Sequence, residues 1–181
     1  THLETRQLAA ALLGAVPASH IEGVLAKLRS WSRPEENFRM LDALFNNGTV
    51  VLRRSAPEPL LEMIEEWLAS PQAQMQAIGL RALEPLVKDP QFENLPPVYN
   101  MLSPLIQNIP ARLYPDLLVL SEALARRSPI ETAYFFRQIL SIAGSPSTAR
   151  LVRRCLPLFN PAQQASLRAA LQAAGASPGR R

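Results

Sequence analysis

The stretch Ser128-Pro129-Ile130-Glu131 decides the fold. A Ser or Asn oxygen just before a helix accepts a hydrogen bond from an orphan N–H of the first turn. Proline at the first helical position loses nothing, because its missing N–H would be unpaired there anyway. Glu three residues after the Ser completes a capping box. Ser128-Pro129 therefore opens a helix to about residue 143. The same step recurs: Ser70-Pro71 opens a helix to about 88, Ser145-Pro146 one to about 159, and Asn160-Pro161 one ending near Gly175.

Working outward, helical periodicity dominates and strand alternation is nearly absent. Thr49-Val50-Val51-Leu52 is the one strand-like run, and 49–56 is ambiguous. A first helix is expected over 2–14 with Leu3, Leu8, Leu12 and Leu13 inward, and a second over 18–31 with Ile21, Val24, Leu25 and Leu28 on one stripe. Pro34 opens a third, with Phe38, Leu41, Leu44 and Phe45 inward, and Asn46-Asn47-Gly48 stops it through the left-handed conformation those residues tolerate. A fourth covers 57–69 with Leu60, Leu61, Ile64, Trp67 and Leu68 apolar. Two more lie at about 95–108 and 112–127, where Pro104 and Pro115 each either kink the helix or mark its true start.

The result is an all-α chain of about ten helices whose short joints make neighbours antiparallel. Segments 77–106, 116–142 and 149–174 share one layout, and Pro90, Pro129 and Pro161 are 39 and 32 residues apart. That spacing brackets the ~34-residue and ~40–47-residue helical repeats. The expected architecture is a right-handed α-α superhelix, a HEAT/armadillo-like solenoid, with a compact bundle as the alternative. One helical-repeat domain over 1–174 is expected, less regular over 1–69 and regular over 70–174, followed by a flexible tail over 175–181.

Composition narrows the function. Of 181 residues 48% are hydrophobic and 19% charged, which is a globular balance. No apolar run approaches the ~18 residues that span a membrane, and no charged-then-apolar leader is seen, so a cytoplasmic protein without a membrane partner is expected. The single cysteine, Cys155, excludes an intrachain disulfide and reads as a small buried apolar residue. His2 and His20 are far apart and distant from Cys155, so no zinc set is visible. No Gly-rich phosphate loop and no Gly-x-Ser-x-Gly elbow occurs. Glu58, Glu62, Glu65 and Glu66 share one helix side opposite the apolar stripe and read as a solvated face. Trp31, Trp67, Tyr99, Tyr114, Tyr134, Phe135 and Phe136 read as inter-helix packing. No catalytic residue and no cofactor is expected.

Charge is the functional signal. Residues 1–90 carry nine basic and eleven acidic side chains, and residues 91–181 carry ten basic and four acidic. Between 126 and 168 stand seven Arg and one acid, Glu131. Arg150, Arg153 and Arg154 share a face by their i, i+3, i+4 spacing, opposite Leu151, Val152, Cys155 and Leu156. Arg126 and Arg127 close one helix and Arg137 sits on the next. Guanidinium forks bind phosphate bidentately, so these six form the expected anion- or nucleic-acid-binding set. Arg at a helix C-terminus is also favourable with no partner at all.

Trp67-Leu68-Ala69-Ser70 followed by Gln76-Ala77-Ile78-Gly79-Leu80-Arg81-Ala82-Leu83 resembles a repeat of the bacterial DNA alkylation repair (AlkD-like) proteins. The resemblance implies a HEAT-like solenoid that grips DNA on a basic concave face. Met75 and Gln76 stand where that pattern has an aromatic residue and Arg, and neither tryptophan has an Asp four residues on, so no catalytic residue carries over. The leading expectation is a non-enzymatic helical-repeat module whose concave, Arg-bearing surface binds a macromolecule, protein or nucleic acid, with DNA favoured over RNA. A DNA-binding or alkylation-repair protein is one alternative. A structural fragment of a larger assembly, suggested by the start at Thr1, is the other.

Overall fold

A computed structural model describes residues 2–34, 36–142 and 145–176. Those residues form eleven α-helices and three 3-10 turns, and no strand occurs among them. The chain divides into two compact units, residues 1–93 and 94–181. No single helix of the described residues is long and apolar enough to cross a membrane.

The first unit holds α1 (His2–Gly14), α2 (Ile21–Trp31), α3 (Phe38–Gly48), α4 (Val50–Ser55), α5 (Pro57–Leu68) and α6 (Ala73–Lys88). α1 packs on α3, α3 on α6, and α5 on α6. Leu8 and Leu12 of α1 are each 63% exposed, against expectation, whereas Ala10 is fully buried. The reason is close approach. A Cβ on Gly14 would stand 1.7 Å from the Asn47 carbonyl oxygen, and one on Gly48 would stand 3.4 Å from the Ala10 oxygen. α1 therefore approaches α3 most closely at its small residues, with Leu13 buried beside them as expected and Leu8 and Leu12 facing away. Gly79 plays the same part between α6 and α5, where a Cβ would meet the Leu68 side chain at 2.8 Å.

The third helix departs from expectation at both ends. It opens at Phe38 rather than Pro34, with Asn37 Oδ1 accepting from the Arg39 N–H at 2.8 Å. Phe38 is exposed and lies under the Arg81 guanidinium, 4.2 Å from ring centroid to Cζ. At the other end no described residue has positive φ, so Asn46-Asn47-Gly48 makes no left-handed stop. The exposed carbonyls are taken by a side chain instead. Arg53 of α4 donates through Nη1 to Phe45 O at 2.9 Å, Asn46 O at 3.2 Å and Thr49 Oγ1 at 2.5 Å, while its Nε faces Asp89 Oδ2 at 3.5 Å. Most of the ambiguous segment 49–56 is helical, as α4, and that helix carries Arg53 back onto the end of α3. Burial outweighs the Asp89 charge and lowers the Arg53 pKa from its ordinary value.

The second unit holds α7 (Pro96–Gln107), α8 (Tyr114–Arg127), α9 (Pro129–Ile142), α10 (Pro146–Cys155) and α11 (Pro161–Ala176). α8 packs on α9 and α10, and α9 on α7 and α11. Its core is aromatic and aliphatic: Tyr99 against Phe135 at 4.9 Å, Phe136 against Phe159 at 6.2 Å, with Leu117, Leu120, Leu151 and Leu167 buried. Ser145 Oγ accepts from the Thr148 N–H at 3.1 Å, as the Ser-Pro reading requires. Asn160 and Gln163 cap reciprocally, Gln163 N–H to Asn160 Oδ1 at 2.9 Å and Asn160 N–H to Gln163 Oε1 at 3.2 Å. At Ser128 the N–H is already given to Leu124 O, so the Glu131 carboxylate takes the Ser128 hydroxyl instead. Pro115 marks the start of α8, and Pro104 lies inside α7. Ser70-Pro71 does not cap α6. The helix begins two residues later at Ala73, and Ser70 Oγ accepts from Gln72 N–H in the preceding turn. Of the expected tail, 175–176 belong to α11, and 177–181 lie outside the described residues.

Two glycines test the close-approach account. Gly14→Ala must displace backbone and is expected to destabilise by about 2–3 kcal/mol or more, the upper range for overpacking. Gly23→Ala, on an exposed face of α2 with nothing within 4 Å of the new Cβ, is expected to stabilise by about 0.5–1 kcal/mol. Urea unfolding of both variants checks the opposite signs; equal effects would refute the crossing.

Candidate functional site

The basic surface is built on two packed helices. Arg126 and Arg127 occupy the last turn of α8, and Arg153 and Arg154 the last turn of α10. α10 is amphipathic: Thr148, Ala149, Leu151, Val152 and Cys155 are buried, and Arg150, Arg153 and Arg154 are exposed. The Arg150 guanidinium lies over the Tyr114 ring at 4.1 Å, fixing the middle of α10 beside the start of α8. The Cys155 thiol lies in the field of Glu122 and Arg126, which places the end of α10 beside the end of α8. Five of the six sequence-selected arginines therefore belong to one helix pair.

Arg137 does not join them. It stands on α9, where its Nη1 donates to Ser166 Oγ of α11 at 3.2 Å and its guanidinium lies 5.8 Å from the Tyr134 ring. Arg168 is on α11, bonded to Gln164 Oε1 at 2.9 Å.

Electrostatics on the pair favour an anion. The second unit carries ten basic side chains against three acidic ones, and the first carries nine against twelve. Glu122 is held by Arg126 at 3.7 Å, a loose i, i+4 contact. Arg153 and Arg154 have no acidic partner among the described residues. Arg150 lies over the Tyr114 ring, a cation–π contact that occupies no hydrogen-bond donor.

Sequence reasoning missed Tyr114, read there only as packing, and Arg112, exposed in the 3-10 turn Ala111–Leu113 just before it. Tyr114 and Arg150 are 36 residues apart, a separation that helical periodicity within one helix does not reveal.

The other candidate chemistry is spent on structure. Trp67 is buried against Phe45, with ring centroids 5.9 Å apart. Glu58, Glu62, Glu65 and Glu66 are exposed, and Glu66 meets Arg29 at 2.8 Å. No group of three or more His, Cys, Asp or Glu among the described residues is placed to hold a metal. No protein-family model, no curated protein and no solved structure matches the chain.

Cys155 is fully buried, and desolvation pushes its thiol up from 9.0 to about 12. A thiol so placed is neutral at pH 8 and inert. Iodoacetamide is expected to leave native protein unmodified and to label it once unfolded. The unfolded thiol ionises near pH 9 while the folded one does not, so stability falls as pH rises from about 9 towards 12, by at most about 1.4 kcal/mol per pH unit. Cys155→Ala should flatten the first part of that fall in denaturant titrations; an unchanged slope would contradict the assignment.

Proposed function

We propose that the second unit is a non-enzymatic helical-repeat binding module that holds duplex DNA through phosphate contacts from the arginines of α8 and α10. The observation that carries the reading is the convergence of Arg126, Arg127, Arg150, Arg153 and Arg154 on one helix pair, three of them exposed on a single face of α10.

The solenoid part of the proposal rests on sequence separation. Bonds between distant side chains recur about one repeat apart: Tyr99–Thr132 at 33 residues and Arg137–Ser166 at 29 in the second unit, Arg53–Asp89 at 36 and Arg81–Asp42 at 39 in the first. In the second unit α7 thereby meets α9 and α9 meets α11, each two places on, as stacked helix pairs do, whereas in the first unit Arg53 of α4 reaches the end of α6 and Asp42 of α3 reaches α6, three places on. With α8 beside α10, and α9 beside both α7 and α11, the second unit reads as two layers. Equivalent positions of successive repeats then share a surface, which is how Arg150 comes to lie over Tyr114.

Duplex DNA is the proposed partner because the affinity such a surface supplies comes from phosphate contacts and counterion release, and because the AlkD-like resemblance, although its residues 67–83 lie in the first unit, implies the same class for the chain. The proposal is binding alone.

Fluorescence anisotropy with labelled duplex DNA tests it. Binding through three to five phosphate contacts should weaken by roughly a hundredfold between 50 and 200 mM salt. The triple change Arg150→Glu, Arg153→Glu, Arg154→Glu should weaken it strongly and, where residual binding is measured at low salt, reduce the logarithmic salt slope by about 3. Arg137→Glu with Arg168→Glu, on α9 and α11, should cost far less. A flat titration at 50 mM salt, or equal loss from the two sets, would overturn the reading, and a preference for RNA of equal length would replace the partner.

A further inference from the structure

A separate feature lies in the first unit. A cleft of about 340 Å³ opens between α1, the end of α2, the following loop and the start of α3. That volume is at the small end of the range for small-molecule sites, roughly 300–1,000 Å³. Its walls divide by chemistry. Met40, 4% exposed, and Ala9 give it an apolar side, and Trp31, half-buried at the end of α2, adds an aromatic one.

The rim is charged and held in place. Arg6 Nη1 meets Glu36 Oε1 at 2.6 Å, with Arg6 57% and Glu36 19% exposed at the side chain, so the carboxylate is the buried member and the guanidinium the presented one. Arg33 donates through Nε to the Ser30 carbonyl at 3.0 Å. That bond uses the inner nitrogen of the fork, fixes the guanidinium plane and leaves the terminal nitrogens for another acceptor. Among the described lining residues two cations, Arg6 and Arg33, stand against one anion, Glu36, although the unit around them carries more acidic than basic side chains. An indole beside a polarizable thioether suits the face or edge of a flat ring. A guanidinium fork suits a planar carboxylate or a phosphate.

We infer that this cleft is a ligand site for a small aryl anion, a molecule of one or two flat rings bearing a carboxylate or phosphate, with the ring against Trp31 and Met40 and the anionic group on Arg33 and Arg6. Glu36 positions Arg6 and does not touch the anion. The site is independent of the arginines of α8 and α10.

Phenyl phosphate and 1-naphthoate are the probes, with phenol and inorganic phosphate as their separated halves. The readout is the pair of tryptophan indole N–H signals in the nitrogen-proton NMR spectrum of the full chain, assigned with Trp31→Phe. Both aryl anions should shift the Trp31 signal saturably, with Kd near or below about 1 mM for ligands of this size, and leave the Trp67 signal in place. Phenol and phosphate alone should bind at least about tenfold more weakly, and Arg33→Ala, at an exposed position, should weaken the aryl anions by about tenfold with Arg33→Lys intermediate. Absence of a saturable Trp31 shift with either aryl anion, an equal response to phenol, or an Arg33→Ala variant that folds and binds as before would each overturn the assignment.

Discussion

Short helices are the constraint on which everything else here depends. The longest are α6 and α11 at sixteen residues, α10 has ten and α4 only six. Isolated helices of this length are marginal in water, because a costly nucleus is shared over few propagating bonds. Each therefore persists by burying one face on neighbours, and each leaves a large fraction of its backbone groups at unsatisfied ends. The caps at Asn37, Ser145 and the Asn160–Gln163 pair answer the second need. Close crossings answer the first. At Gly14 and Gly79 the missing Cβ brings one helix directly against a neighbour's carbonyl or side chain.

Arginine does two different jobs in this chain, and burial separates them. The Arg53 side chain is 10% exposed and ringed by the carbonyls of Phe45 and Asn46, the Thr49 hydroxyl and the Asp89 carboxylate. A buried guanidinium must have such a set, since an unpaired buried charge costs several kcal/mol. Its donors are spent on closing α3 and setting α4 against it. The arginines of α10 are exposed and face no such acceptors, so their donors stay available to a partner.

This difference explains what the sequence could and could not reveal. The Ser-Pro and Asn-Pro steps at 145–146 and 160–161 were legible because capping is local: donor, acceptor and proline lie within four residues. The same step at 70–71 misled, because whether a chain turns into its helix at once or two residues later depends on how α6 meets α5. The stop at Asn46-Asn47-Gly48 misled for a related reason. Gly48 does not adopt positive φ, the close approach of the two helices falls at Gly14, and the carbonyls of Phe45 and Asn46 are taken by Arg53 of the next helix. Leu8 and Leu12 were placed inward by periodicity, yet periodicity cannot know that α3 prefers Ala10 and Gly14. For the basic surface the residue types and the face of α10 were legible, while the separation of Arg137 from the rest required the packing of α9 on α11.

Among the arginines of the surface, position decides which carries functional meaning. Arg126 and Arg127 end α8, and Arg153 and Arg154 end α10, where a cation is worth about 0.3–1 kcal/mol against the helix dipole with no partner present. The Arg126–Glu122 pair adds about 0.3–0.5 kcal/mol at most for an exposed i, i+4 contact, too little to withhold Arg126 from a phosphate. Arg150 is placed differently, by a contact with another helix instead of a helix end. It sits in the middle of α10, on the solvent side, away from either helix end. Its guanidinium carbon lies 4.1 Å from the centre of the Tyr114 ring, a contact with the ring face that uses none of its hydrogen-bond donors. Its place is set by the Tyr114 ring of α8, not by either end of its own helix, and that sets it apart from the four arginines at helix ends.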